Sequence, residues 1–162
     1  DELLETGGGI RRAAWFFDDD KPFLVHNVDI LSNIDLQQLY AAHLKNNSLA
    51  TLAVNNRIST RYLLFDDDLR LQGWRNEKTG ETRPANKKLP ETLTALAFSG
   101  IQVLSPQAFE LMKDFPEKFS IIDFYLKRFE QNQIYGFVPN DFKIIDVGKI
   151  ETLNQAKEFL KR

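Results

Sequence analysis

The chain has no cysteine, which excludes disulfides, thiolate zinc centres and a cysteine nucleophile and is compatible with a reducing compartment. Nor does it contain an apolar run near the roughly 20 residues that span a bilayer, and the acidic start Asp1-Glu2 does not look like a signal peptide. No membrane association is expected, and the cytoplasm is the default location. Charge of one sign is missing as well. The 21 basic and 23 acidic residues leave a formal charge of -2 without long blocks, so there is no electrostatic footprint for nucleic acid or an anionic membrane. An anionic ligand must therefore be held by a few local groups. Histidine is scarce: His26 lies in a predicted strand with no second histidine in reach, and His43 lies on an apolar helix face, so a histidine-based metal site has little support. There is no initiator methionine, and Asp1 to Thr6 reads as the middle of an element, so a fragment or a processed chain is expected.

What is present is enough apolar residue for one core: 162 residues, 43% of them hydrophobic, suit a single domain over 1–162. The organising stretch is Pro22 to Ile30, an apolar run predicted as a strand over Phe23 to Asp29 that ends in the polar Asn27 and the acidic Asp29. Ligand sites in open α/β sheets lie just beyond such strand ends. Ahead of it, Glu5-Thr-Gly-Gly-Gly-Ile10 reads as a backbone loop feeding a helix that runs from Arg11 to Phe17. Such a loop allows close approach of an anion to exposed N–H groups, and a linker or an ordinary turn is the alternative. Asp35 is placed as the cap of a helix to about Asn46, with Leu36, Leu39, Tyr40, His43 and Leu44 inward.

Further along, Leu49 to Val54 is a second buried strand. Arg61 to Phe65 and Leu69 to Trp74 form a hairpin around Asp66-Asp-Asp68, its alternation placing Leu69, Leu71 and Gly73 inward and Trp74 on the wetter face. Arg75 to Lys88 reads as a surface loop or flap. Leu93 to Leu104 is one strand or two, interrupted at Gly100, where a bulge or a close approach to the backbone is expected. Ser105 is read as a helix cap ahead of Pro106, and Ser120 as the cap of a helix to about Gln131. Two short strands, Ile134 to Val138 and Lys143 to Val147, precede a last helix from Glu151 with Leu153, Ala156 and Leu160 on one face. Strands and helices in this mixture indicate an α/β fold.

Asp29 and Asp146 each end an apolar strand. Magnesium needs only one or two protein carboxylates, with water and phosphate oxygens completing its shell, so the two would suit metal-assisted phosphoryl or nucleotidyl chemistry if folding brings them together. Turn capping by each aspartate is the alternative that the residues alone leave open.

The order of the motifs adds to this. Leu4-Glu-Thr-Gly-Gly-Gly-Ile10, Asn27-Val-Asp29, Phe98-Ser-Gly-Ile-Gln-Val-Leu-Ser-Pro106 and Asp146-Val-Gly148 follow one another as do a "LETGGGI" loop, an "NGD" strand end, an "FSGI-V--P" segment and a "DVGT" turn in the sugar-1-phosphate nucleotidyltransferases. Over essentially its whole length the chain resembles that family, especially its mannose-1-phosphate guanylyltransferase and N-acetylmuramate-1-phosphate uridylyltransferase branch. The resemblance implies a Rossmann-like, GT-A-like mixed sheet flanked by helices, incomplete at its N-terminus. It also implies an enzyme that joins a nucleoside triphosphate to a sugar-1-phosphate and releases pyrophosphate. By the same resemblance, Asp29 and Asp146 are the catalytic, Mg2+-holding aspartates, and Glu5, Thr6, Gly7, Gly8, Asn27, Ser99 and Gly100 contact substrate. The chain departs from the pattern at Val28, in place of the family's glycine, and at Lys149, in place of its threonine. The family's glycine-rich "GxGTR" triphosphate loop is not found in these residues, so this chain by itself is expected to be inactive. Association with such an N-terminal segment, or with a second copy, is a further expectation, and a non-catalytic sugar-phosphate-binding homologue is the alternative.

Overall fold

A computed structural model describes residues 3–85, 87–148 and 152–160. The opening Asp1-Glu2, Lys149 and the start of the last helix at Glu151 lie outside the described residues. The sheet is built around β7 (Thr94–Leu104), eleven residues long and buried over most of its length. One edge of β7 carries β3 (Ala50–Asn55). The other edge carries β4 (Arg61–Phe65) along its first half and β1 (Phe23–His26) along its second, with Leu63 opposite Leu96 and His26 opposite Ile101. β5 (Leu71–Asn76) and β6 (Thr82–Arg83) extend the sheet beyond β4, and β8 (Ile134–Phe137) lies parallel to β3 on the far side. The other pairings are antiparallel. A separate two-stranded ribbon joins β2 (Ile30–Ser32) to β9 (Ile144–Asp146). This is the mixed, helix-flanked α/β sheet expected from the sequence.

Burial explains the strand positions. All six residues of β3 are buried, as an apolar run covered on both faces should be. α2 (Leu36–Asn46) starts where Asp35 accepts hydrogen bonds from the amides of Gln37 and Gln38, and it ends at Asn47 in the left-handed region. Its buried stripe is narrower than the periodicity suggests: Leu39 and His43 are inside, whereas Leu36 and Leu44 are exposed. α4 (Ile121–Arg128) is capped by Ser120 through the Ile122 amide and stops short of Gln131. Ser105 is not a helix cap. Its hydroxyl donates to the Ser48 carbonyl at 2.7 Å, and α3 (Gln107–Met112) begins after Pro106. Arg75 to Lys88 is not all loop either, since β5 continues to Asn76 and Trp74 and Arg75 pair with β6. Trp74 is buried rather than wet: it is part of the main apolar core, and the Arg83 guanidinium lies over its ring at 5.1 Å.

The glycine segment is the largest departure. Glu5–Arg12 is a helix, α1, with the three glycines inside it, followed by a 3-10 turn at Ala14–Phe16 rather than by more helix. Gly7 and Gly8 donate to the Phe119 carbonyl at 3.0 and 3.3 Å. A Cβ at Gly7 would come within 2.4 Å of the Phe119 ring, and one at Gly8 within 2.3 Å of the Glu117 carbonyl oxygen. Here the missing side chains let a helix seat against another backbone.

His43 is a packed residue, as its place on an apolar face suggests, and is 1% exposed. Because Ser105 donates to Ser48, its oxygen accepts from His43 Nε2 at 2.9 Å, and Thr51 donates to Nδ1 at 3.1 Å. Burial lowers the His43 pKa from 6.5 to about 4. Above pH 6.5 neither the folded nor the unfolded chain is protonated there, and as pH falls toward 4 the unfolded chain takes up the proton first. Stability should fall by about 3 kcal/mol across that window. Urea denaturation at pH 7 and pH 4.5 should show a smaller loss in His43→Gln than in the parent.

Candidate active site

β1 ends at His26, three residues before Asp29, so the carboxylate comes from a turn rather than from the strand itself. The turn closes through the Ile30 amide, which donates to the Asn27 carbonyl at 3.1 Å. Its tip carries Val28, 98% exposed, and Asp29. Pairing of Ile30 with Asp146 then sets the end of β9 beside this turn, and the Val147 amide donates to the Asp29 carbonyl at 2.8 Å. Gly148 donates its amide to Asp146 Oδ1 at 3.0 Å, and the Thr152 hydroxyl donates to the Asp146 carbonyl. A Cβ built on Gly148 would lie 3.2 Å from both Asp146 Oδ1 and Asp29 Oδ2. The two carboxylate oxygens are thus no more than twice that distance apart, across a gap of 117 residues in sequence.

Both aspartates are exposed, and neither forms an ion pair among the described residues. Two unpaired hard-oxygen donors side by side suit a magnesium ion that keeps water or phosphate oxygens in its remaining positions. Among the described residues no larger cluster of metal-binding side chains occurs.

The cavity in front of them, of about 260 Å3, is lined by Asn27, Asp29, Arg57, Ser99, Gly100 and Asp146, with Ile30, Phe98 and Ile144. Gly100 sits at φ +75, and a Cβ there would meet the Asn27 amide at 2.9 Å. The Asn27 main-chain N–H donates to the Gly100 carbonyl at 2.9 Å, and the Asn27 side chain lies in the space that a Cβ at position 100 would need. The interruption expected at this glycine is a register shift in the β3–β7 pairing between Leu52 and Val54 within one continuous strand. Ser99 is 2% exposed, and its hydroxyl has no hydrogen-bond partner among the described residues. Asp29, Asp146, Asn27, Ser99 and Gly100, all singled out from the sequence, therefore meet in one place. Glu5, Thr6, Gly7 and Gly8 do not line this cavity. Gly7 and Gly8 are buried against the segment before α4, while Glu5 and Thr6 are exposed, with Glu5 at φ +58. Val28 lines no part of the cavity. Sequence reasoning missed Arg57, a single residue in the irregular segment after β3 that no periodicity marks.

The mixed, helix-flanked sheet is a fold shared with solved structures of sugar-1-phosphate nucleotidyltransferases. Solved structures with this fold include HddC from Yersinia pseudotuberculosis complexed with GMP-PN, 22% identical with a TM-score of 0.70, the match covering 99% of this chain and 64% of that one. A UDP-glucose pyrophosphorylase complexed with UDP-glucose is 18% identical, with a TM-score of 0.73 and the same two coverages. A Bacillus anthracis protein assigned as a glucose-1-phosphate thymidylyltransferase, in complex with a sucrose, is 12% identical with a TM-score of 0.75, covering 98% of this chain and 62% of that one. The chain thus spans under two thirds of the length of these structures. No family model and no curated protein matches the sequence. Among the described residues no helix is long and apolar enough to cross a membrane.

Proposed function

We propose that this chain is the metal- and acceptor-holding portion of an enzyme that transfers a nucleotidyl group from a nucleoside triphosphate to a sugar-1-phosphate. The observation that carries the reading is the meeting of Asp29 and Asp146 across Gly148, in front of a cavity that also holds Asn27 and the unpartnered Ser99 hydroxyl. In the reaction, an oxygen of the sugar phosphate attacks the α-phosphorus. The bond from that phosphorus to the bridging oxygen breaks, and pyrophosphate leaves with the electron pair. When bound, Mg2+ would supply charge neutralisation for the phosphates and the leaving group. Asp29 and Asp146 would hold the ion. Asn27, next to Gly100, and Ser99 offer hydrogen bonds to the same cavity. Positioning and electrostatics suffice for such chemistry, and no protein nucleophile is needed.

Glu5 and Thr6 have a place in this reading only as an outer contact, whereas Gly7 and Gly8 act by seating α1. We assign the triphosphate to residues outside this chain, consistent with its span of under two thirds of its structural neighbours. The test is pyrophosphate release with Mg2+ and a panel of nucleoside triphosphates and sugar-1-phosphates. The full gene product should turn over at least one pair and this chain none. A full gene product that binds sugar phosphates without Mg2+ and turns over no pair would favour a non-catalytic sensor instead.

A further inference from the structure

The ribbon that brings Asp146 to Asp29 is short. β2 and β9 pair over three residues each, apart from the main sheet, and a two-stranded unit of that size is marginal by itself. Its two faces look into different spaces. Ile144 and Asp146 line the cavity in front of the aspartates, whereas Lys143 and Ile145 line another of about 570 Å3, together with Gln155 and Phe159 of α5 (Leu153–Phe159). A slip of β9 by one residue along β2 would exchange these faces, putting Ile145 at the metal cavity and turning the Asp146 carboxylate away from Asp29. Register therefore decides whether the two carboxylates meet.

Apolar patterning does not choose that register. The slip exchanges Ile144 for Ile145, the same side chain, and both are half-buried. Main-chain ladder bonds do not choose it either, since every residue there offers the same donor and acceptor. Asn33 supplies a contact that belongs to one register. At one end of the ribbon the Val147 amide donates to the Asp29 carbonyl at 2.8 Å, and at the other the Asn33 amide donates to the Lys143 carbonyl at 3.3 Å. In the return bond the Asn33 side chain takes the place of its own main-chain carbonyl: Oδ1 accepts from the Lys143 amide at 2.7 Å. The same carboxamide reaches on into the turn before β9, where Nδ2 donates to the Asp141 carbonyl at 2.9 Å. Successive amides of a strand point to opposite edges, so a shift of one residue takes the Lys143 amide out of reach.

We propose that Asn33 is a positioning residue whose carboxamide locks the register of the β2–β9 ribbon and so delivers Asp146 to Asp29 from outside the cavity that they line. Its consequence for the metal rests on the nucleotidyl-transfer reading; the register itself does not.

The test compares this chain with Asn33→Ala and Asn33→Asp by two readouts, cross-strand nuclear Overhauser contacts and broadening of backbone amide signals by Mn2+. The parent should show contact between Leu31 and Ile145 and broadening at both 27–30 and 146–148. Asn33→Ala should lose the Leu31–Ile145 contact and the broadening at 146–148, keep the contact between Thr51 and Val103 in the main sheet, and need about tenfold more Mn2+ to broaden 27–30, the size of one lost charged contact. Asn33→Asp keeps an acceptor for the Lys143 amide and loses the donor to Asp141, so it should fall between the two. An Asn33→Ala variant that retains the Leu31–Ile145 contact with broadening at 146–148 would overturn the proposal. So would loss of the Thr51–Val103 contact along with it, which would make Asn33 a residue of general stability. A parent chain without broadening at either aspartate would overturn the metal-holding reading, and the Leu31–Ile145 contact would still decide for or against Asn33.

Discussion

Asp29→Asn and Asp146→Asn should each lower nucleotidyl transfer by the full gene product by about two orders of magnitude or more, the scale on which preorganised charge at a transition state acts. Each substitution keeps the size and hydrogen-bonding shape of the side chain and removes one of the two unpaired charges that meet across Gly148. Because both would hold the same ion, the double variant should lose little beyond either single one, as residues acting as a unit are not additive. The structural cost should be small, since both side chains are exposed and the ribbon is held there by main-chain contacts such as Val147 to Asp29. Steady-state kinetics with Mg2+ held in excess, alongside thermal denaturation, separates the two effects. Near-parental turnover in both single variants would remove the metal assignment.

Gly8→Ala should cost up to about 2 kcal/mol of stability. Its Cβ would lie 2.3 Å from a main-chain carbonyl oxygen, that of Glu117, and 3.1 Å from Leu4 Cβ. The nearest obstacle is backbone, so no side-chain rotation relieves it, and α1 must lift from the Phe119 carbonyl that its amides contact. Overpacking of this kind costs typically 1 to 3 kcal/mol, which exceeds the gain of about 1 kcal/mol that alanine brings to a helix interior. At Gly9 the sign reverses. Nothing lies within 4 Å of its Cβ position, so Gly9→Ala should stabilise by up to about 1 kcal/mol. Urea denaturation of the two variants reads this contrast directly, and a Gly8→Ala variant as stable as the parent would show that α1 is not seated as described.

These glycines also show where sequence reasoning stops. Local rules place Gly7 to Gly9 in a loop open to a ligand, yet Gly7 and Gly8 are held in a helix against a backbone more than 100 residues away, at Glu117 and Phe119. The same holds for Trp74, covered by Arg83, and for Ser105, drawn from a helix cap to His43 and the Ser48 carbonyl. By contrast, Asp35 and Ser120 act on amides two or three residues away, so those caps were legible. So was β3, whose apolar run is itself the signal. At the site, Asp29, Asp146 and Gly100 could be picked out by type and by the order of their motifs. That β9 returns to pair with β2, and that Arg57 lines the same cavity, are products of topology.

The central claim is that Asp29 and Asp146 together hold a divalent cation. Paramagnetic Mn2+, titrated at substoichiometric levels into this chain, tests it most directly through broadening of backbone amide signals. The account predicts broadening confined to residues 27–30 and 146–148 and nearby 99–100, competed by Mg2+ and lost in both Asp29→Asn and Asp146→Asn. Broadening centred elsewhere, or unchanged in either variant, would contradict it.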